Sequence, residues 1–116
     1  MQLEARRRQH RAQFPGARFD VIELAGEPIG CLSVDRRSDA IQLIDIALLP
    51  ERRRMQIGGT LLRDLLDEAA SSQRPVRLHV ERSSPALRLY QRLGFAAVRD
   101  EGVYLLMEWA QAKTAS

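Results

Sequence analysis

The residues best suited to bind a phosphate group follow an apolar run in the middle of the chain. Arginines fill positions 52–54, and the pair Gly58-Gly59 begins a strongly amphipathic segment. A helix N-terminus offers unpaired backbone N–H groups and about half a positive charge, and glycines let a ligand approach the backbone closely. The pattern is compatible with a phosphate site and equally with a tight turn flanked by solvated arginines.

Three side chains could accept a proton, directly or through water. Asp45 interrupts an apolar run, where an unpaired carboxylate is costly, so we expect it to face a partner, water or a cleft. His79 and Glu81 occupy the next strand-like segment, where His79 is at an outward-facing position typical of solvent exposure. His10 has no visible role. Cys31, the single cysteine, is expected to be a small core residue because no nucleophile motif accompanies it.

The first half of the chain predicts one helix and three strands. The helix covers residues 3–13 and ends before Pro15-Gly16. The strands cover residues 19–25, 29–34 and 41–49, and Gly26-Glu27-Pro28 is typical of a turn between the first two. The third run is apolar on both faces except at two positions, which indicates a central strand.

The second half alternates helix and strand. Leucine and alanine pairs recur every four residues over 61–70, which predicts an amphipathic helix from near Gly58 to residues 71–73. Residues 76–80 alternate as a strand. Ser84-Pro85 is expected to start a short helix, with Ser84 as its N-cap, and Gly94 to stop it. Residues 95–99 and 103–109 predict a closing hairpin around 100–102, before a frayed tail over 110–116.

This order of elements predicts an α+β fold, a mixed sheet with helices on its faces, in one domain over residues 1–116. The chain of 116 residues is 45% hydrophobic and 28% charged, which suffices for one core without disulfides. No apolar run approaches the roughly 20 residues of a membrane-spanning helix, and residues 1–14 lack a signal-peptide core. We therefore expect a cytoplasmic protein with no membrane partner.

The net charge of +3 is concentrated at one end of the chain. Residues 1–18 form a basic N-terminal segment that contains five arginines and one acidic residue, Glu4. The charges of the basic and acidic residues in the rest of the chain nearly cancel. A short arginine cluster without interleaved aromatic residues is usually solvated, so we expect no nucleic-acid partner.

Two segments resemble motifs of one family, the GNAT superfamily of acyl-CoA-dependent N-acetyltransferases. Its motif A reads Gln/Arg-x-x-Gly-x-Gly/Ala at the start of a helix that follows a strand. Arg53 and Gly58 match the ends of this motif, and Gln56 stands at its first glycine. Residues 84–95 resemble the family's Asn-Pro-Ala-x-x-Leu-Tyr-x-x-x-Gly-Phe pattern, with Ser84 in place of Asn. On these two motifs, in the right order, the chain is identified as a member.

The resemblance implies a mostly antiparallel sheet that splays into a V-shaped acetyl-CoA site, with no metal. In relatives, backbone groups at the positions of Ile46, Ala47 and Leu48 pair with the pantetheine and acetyl groups. Ser84 would lie near the pantetheine arm. The N–H groups of the turn would hold the pyrophosphate; its residues are Arg53, Arg54, Met55, Gln56, Ile57, Gly58, Gly59 and Thr60.

The resemblance also implies that Tyr90 is the general acid. CoA leaves as a thiolate, whose thiol has a pKa of about 8.5, and a phenol at hydrogen-bond distance can stabilise or protonate it. The alternative is a packed core tyrosine on one helix face with Ala86 and Leu93. The attacking amine would be deprotonated by Asp45, our first choice, or by His79, Glu81 or water.

We therefore predict an N-acetyltransferase that moves an acetyl group from acetyl-CoA to a primary amine by direct attack in a ternary complex. The amine could belong to a small molecule, a peptide or a protein. The alternative is a catalytically degenerate GNAT fold that binds CoA or a protein partner without turnover, which Gln56 and Ser84 favour. The family's first strand and first helix have no counterpart here. We expect an unpaired sheet edge beside residues 19–25 and a homodimer through it.

Overall fold

The computed structural model describes residues 8, 12–49 and 56–111. Most of the predicted N-terminal helix, including His10, lies outside these ranges, although Arg8, Ala12 and Gln13 are helical. The arginines at 52–54 and the tail from residue 112 lie outside them as well.

Six strands form one sheet in the described chain, and helices follow the third and the fourth strand. The strands are β1 (Arg18–Leu24), β2 (Glu27–Arg36), β3 (Ile41–Leu48), β4 (Val76–Glu81), β5 (Ala96–Glu101) and β6 (Tyr104–Trp109), and the helices are α1 (Ile57–Ser71) and α2 (Ala86–Arg92). The sheet order is β1-β2-β3-β4-β6-β5, with β3 and β4 parallel and the other neighbours antiparallel. The predicted α+β fold with a mixed, mostly antiparallel sheet is confirmed.

One hydrophobic core joins the helices to a single face of the sheet. The apolar stripe of α1 is buried at Leu62, Leu65, Leu66 and Ala69, as the period of the sequence predicts. It packs with alternating residues of β3 and β4, whose side chains point to one face because strands have a period of two. Tyr90 of α2 belongs to the same core and meets Phe95 edge to face, with ring centroids 5.6 Å apart.

The first hairpin turns one residue earlier than predicted. Ala25 and Gly26 have φ of 53° and 83°, which makes a two-residue turn of the type whose twist matches that of paired strands. The expected turn at Gly26-Glu27-Pro28 was therefore wrong, since Glu27 and Pro28 pair with β1. A register shift beside Pro28 explains why the strand tolerates a residue with no N–H.

The start of α2 also differs from the prediction by one residue. Pro85 precedes the helix rather than opening it, and the first helical residue is Ala86. Ser84 still supports the helix start: its hydroxyl oxygen accepts the Ala86 N–H at 3.2 Å, and its carbonyl accepts the Leu87 N–H at 3.2 Å. Gly94, with φ of 103°, ends the helix as predicted.

The turn of the closing hairpin lies later than predicted. Strand β5 continues to Glu101, which pairs with Tyr104, so the turn consists of Gly102 and Val103. Asp100 stabilises this turn because its carboxylate accepts the Gly102 N–H at 3.0 Å. The expected turn at residues 100–102 was wrong because local turn composition does not fix the register of a hairpin.

A bulge in β3 opens the sheet beside β4. Ser33 pairs with Asp45 and Val34 pairs with Leu43, so Ile44 is the extra residue of the bulge. Strand β3 pairs with β4 only through Ile41, Gln42 and Leu43. Past these residues the two parallel strands separate, which produces the predicted splay.

Among the described residues, no helix is both long enough and apolar enough to cross a membrane.

Candidate active site

A cleft of about 1280 Å³ occupies the space where β3 and β4 separate. Its walls come from the end of β3, the N-terminus of α1 and the helix α2. Residues of both sequence motifs therefore line one cavity, although some 25 residues separate the motifs along the chain. This larger cleft contains most of the predicted cofactor-binding residues that the structure describes.

The strand wall of the larger cleft is the segment Ile46, Ala47 and Leu48. No strand of the described chain pairs with this segment on the β4 side, because the β3–β4 ladder ends at Leu43. An extended ligand can therefore lie along that side of the segment and bond to its backbone, as a further strand would.

Gly30, which was not among the residues predicted from the sequence, supports this wall from β2. A Cβ atom at Gly30 would collide with the carbonyl oxygen of Ala47. Only glycine allows β2 and the end of β3 to pack this closely. An isolated glycine inside a strand pattern is the sequence signal that could have identified it.

The N-terminus of α1 forms the second wall. Helix geometry leaves the N–H groups of Ile57, Gly58 and Gly59 without intrahelical partners, and the Gln56 side chain does not cap them. The Thr60 N–H differs, because it donates to the carbonyl of Gln56 at 3.1 Å. Gln56, Gly58 and Gly59 line the larger cleft.

Gln56 adopts the left-handed backbone conformation, with φ of 57° and ψ of 17°. This is the conformation that glycine adopts freely and other residues adopt at a cost. The backbone geometry expected at this position of the motif is therefore present, although the residue is not glycine.

Within residues 8, 12–49 and 56–111, the positive charge that lines the larger cleft comes from two arginines that were not predicted from the sequence. Arg63 lies one turn after Gly59 on α1, and Arg92 ends α2; both line the cleft. Residues four apart share a helix face, which is the signal that could have identified Arg63. The predicted Arg53, Arg54 and Met55 lie outside the described residues.

Tyr90 lines the larger cleft from α2 and is 92% buried. Burial raises the pKa of its phenol, and the charge of Asp45 raises that pKa further. The phenol therefore carries its proton at neutral pH. Ser84 lines the same wall, with its hydroxyl engaged at the start of α2.

Asp45 lies beside the clefts rather than in their walls. It is half-buried on β3, and its Oδ2 atom is 3.9 Å from the Sγ atom of Cys31. Cys31 is fully buried, as predicted for a small core residue. The expectation that Asp45 faces a partner is borne out, and the negative charge of Asp45 also raises the pKa of Tyr90.

A smaller cleft of about 450 Å³ meets the larger one at Tyr90. Ile46, Ser84, Pro85, Ala86 and Tyr90 line both cavities. The far side of the smaller cleft carries side chains of β4 and β6, namely His79, Glu81 and Tyr104. His79 is exposed, as predicted, and its Nε2 atom lies 3.0 Å from Oε1 of Glu101.

The sequence model of the Acetyltransferase (GNAT) family matches residues 2–95, which include both motifs. The chain belongs to this family. Because the match covers most of the chain, it confirms the resemblance based on the two motifs. A comparison with curated proteins by sequence gives no match.

Solved structures of acetyltransferases share the fold. The PaiA N-acetyltransferase from Thermoplasma acidophilum in complex with coenzyme A superposes with a TM-score of 0.74 at 24% identity, over 87% of this chain and 65% of that one. A GNAT family acetyltransferase from Elizabethkingia anophelis with acetyl-CoA bound gives 0.73 at 19% identity, over 89% and 82%. The ribosomal-protein-S18-alanine N-acetyltransferase from Escherichia coli gives 0.74 at 21% identity, over 93% and 79%.

These similarities establish the GNAT fold for this chain, which spans 65% of the Thermoplasma acidophilum protein. Among the described residues, no group of three or more metal-ligating side chains could hold a metal ion.

Proposed function

We propose that this protein transfers an acetyl group from acetyl-CoA to a primary amine by direct attack in a ternary complex. One observation carries the proposal: a buried, protonated tyrosine stands where a phosphate-compatible cleft meets a second cleft with titratable side chains. The family match and the CoA-bound and acetyl-CoA-bound structures with this fold support it.

The larger cleft suits the cofactor. The N–H groups of Ile57, Gly58 and Gly59 would hold the pyrophosphate, because helix N-termini bind anions. Arg63 adds positive charge there, as Arg53 and Arg54 are predicted to do. The backbone of residues 46–48 would bond to the pantetheine arm on the side of β4, because the β3–β4 ladder ends at Leu43.

Acetyl-CoA, when bound, supplies a thioester carbonyl as the electrophile and a thiolate as the leaving group. Tyr90 donates its proton or a hydrogen bond to the departing sulfur, and its raised pKa keeps that proton available. The negative charge of Asp45 also raises the pKa of Tyr90 and so favours the protonated phenol.

The structure changes our preference for the base. Asp45, the first choice from the sequence, contacts Cys31, whereas His79 and Glu81 line the smaller cleft together with Tyr90. We assign proton acceptance from the amine to His79, because a carboxylate at Nε2 orients its ring.

The test is an assay of CoA release with acetyl-CoA and a panel of amines that includes small molecules, amino acids and short peptides. The proposal predicts release that depends on the amine, together with saturable binding of acetyl-CoA by calorimetry. Absence of acetyl-CoA binding would contradict the assignment of the larger cleft.

A GNAT fold that binds CoA without turnover is the second candidate, and one observation favours it. Gln56, which lines the larger cleft, carries a side chain at a position where the motif has glycine. Binding of acetyl-CoA with no turnover of any amine, and no effect of Tyr90→Phe, would support this candidate and contradict the first.

We also propose a homodimer that forms through β1. Strand β1 lies at one edge of the described sheet, where its outer N–H and C=O groups face no other described strand. Light scattering at micromolar protein concentration is expected to give the mass of a dimer, and the mass of a monomer would contradict this proposal.

A further inference from the structure

The far end of the smaller cleft places a carboxylate beside an aromatic ring. Glu81 of β4 and Tyr104 of β6 are direct partners in the antiparallel ladder, and both line the cleft. Partners in such a ladder point to the same face with their Cβ atoms about 5 Å apart. Both side chains are exposed, so a ligand can reach them.

Glu81 differs from the other carboxylates on this part of the sheet. Glu101 contacts His79 and Arg99, Asp100 contacts Arg82, and Glu108 contacts Arg77 at 2.8 Å. Within the described ranges, Glu81 makes no ion pair. The smaller cleft therefore has one carboxylate whose charge no described side chain neutralises.

The spacing along β4 sets the length of a ligand that contacts both His79 and Glu81. His79 and Glu81 point to the same face, two residues apart, which corresponds to about 7 Å along a strand. With carbon–carbon bonds of about 1.5 Å, an extended chain of about five methylene groups joins two nitrogen atoms across that distance.

We propose that the smaller cleft selects amine acceptors that carry a second positive charge about five methylene groups from the amine that is acetylated. Glu81 pairs with the second charge, and the ring of Tyr104 adds a cation–π contact. An acceptor with a carboxylate at that end is disfavoured, because two negative charges then face each other. This selectivity rests on the proposed acetyl transfer.

Three probes with five carbon atoms each test the selectivity: cadaverine, pentylamine and δ-aminovalerate. They end in an ammonium, a methyl and a carboxylate group, so their comparison isolates the terminal charge. We expect kcat/KM for cadaverine to exceed that for pentylamine by about tenfold, the size expected from one partly exposed ion pair with an aromatic contact. We expect δ-aminovalerate to be the poorest acceptor.

Two substitutions test whether Glu81 causes the preference for cadaverine. Glu81→Gln should reduce the ratio of kcat/KM for cadaverine to that for pentylamine to within about twofold, and Glu81→Lys should make δ-aminovalerate the better of the two charged probes. Glu108→Gln is the matched control. It removes the same charge from the same face of the sheet, beside Arg77 and outside both clefts, and should leave the ratio unchanged.

A measurement on the unmodified protein supplements the variants. The preference for cadaverine should fall in about 1 M salt, because the Debye length there is about 3 Å. Turnover of amines with equal kcat/KM for cadaverine and pentylamine would overturn the selectivity and leave the proposed function standing. Binding of acetyl-CoA without turnover of any amine would overturn both.

Discussion

The two clefts that meet at Tyr90 are built from different parts of the chain. The larger cleft presents backbone groups: the end of β3, beyond its ladder with β4, and the first N–H groups of α1. The smaller cleft presents side chains, His79, Glu81 and Tyr104, which project from neighbouring strands. A backbone site needs glycines and a helix start, so short motifs encode it. A side-chain site depends on single residues that can differ between proteins of one fold.

The largest expected effect concerns the backbone site. Gly58→Glu should reduce the affinity for acetyl-CoA by more than about 100-fold, because it places a bulky anion beside the helix N-terminus that binds phosphate. Calorimetry measures the affinity, and circular dichroism should show an intact fold.

Gly58→Ala is the matched control for this variant. A Cβ atom at Gly58 would meet Leu48 Cδ1 at 3.6 Å, an ordinary contact, so the alanine variant should keep its affinity within a few-fold. If Gly58→Glu bound acetyl-CoA as tightly as Gly58→Ala, the larger cleft would not be the cofactor site.

The next effect concerns the support of the larger cleft. Gly30→Ala should lower the free energy of unfolding by about 2–3 kcal/mol, because its Cβ atom would collide with the Ala47 carbonyl. Displacing Ala47 should also weaken acetyl-CoA binding. Urea unfolding measures the first effect and calorimetry the second.

Gly16→Ala provides the comparison for Gly30→Ala, since a Cβ atom there would meet, of the described residues, Asp35 Oδ1 alone, at 3.8 Å. Equal stability of the two alanine variants would contradict the close packing of β2 against β3.

A smaller and opposite effect is expected at Gln56. Gln56→Gly should raise the free energy of unfolding by about 0.5–1 kcal/mol, because glycine adopts positive φ without steric cost. Thermal unfolding measures the change. Gln56→Ala keeps the unfavourable φ and should not be stabilised. If both variants were more stable, the cause would be removal of the glutamine side chain and not relief of the backbone strain.

The pH dependence of turnover tests whether Tyr90, where the two clefts meet, is protonated when it acts. Burial raises the pKa of the folded phenol above the ordinary value of 10.0. The stability that depends on the neutral phenol is therefore fully present below pH 10.0, and it declines only as pH rises through the higher pKa of the folded state. The activity that needs the phenol proton follows the same dependence on pH. A tyrosine-dependent loss of activity between pH 8 and 9 would contradict this state of Tyr90.

The sequence predicted the parts of the site that local patterns encode. The apolar period located α1, and the two motifs selected Gly58, Ser84 and Tyr90, which the structure brings to one cleft. The bulge at Ile44 and the register of the closing hairpin could not be predicted, because both depend on pairing between distant strands. For the same reason, the position of Glu101 beside His79 emerged only from the structure.

The most direct test of the central claim separates binding from turnover at Tyr90. Acetyl-CoA affinity and CoA release should be measured in one preparation each of the unmodified protein and of Tyr90→Phe. The loss of one hydroxyl group should leave the affinity within about twofold and lower kcat by about 100-fold, the size of a general-acid contribution. An unchanged kcat would contradict the assignment of Tyr90 as the acid that serves both clefts.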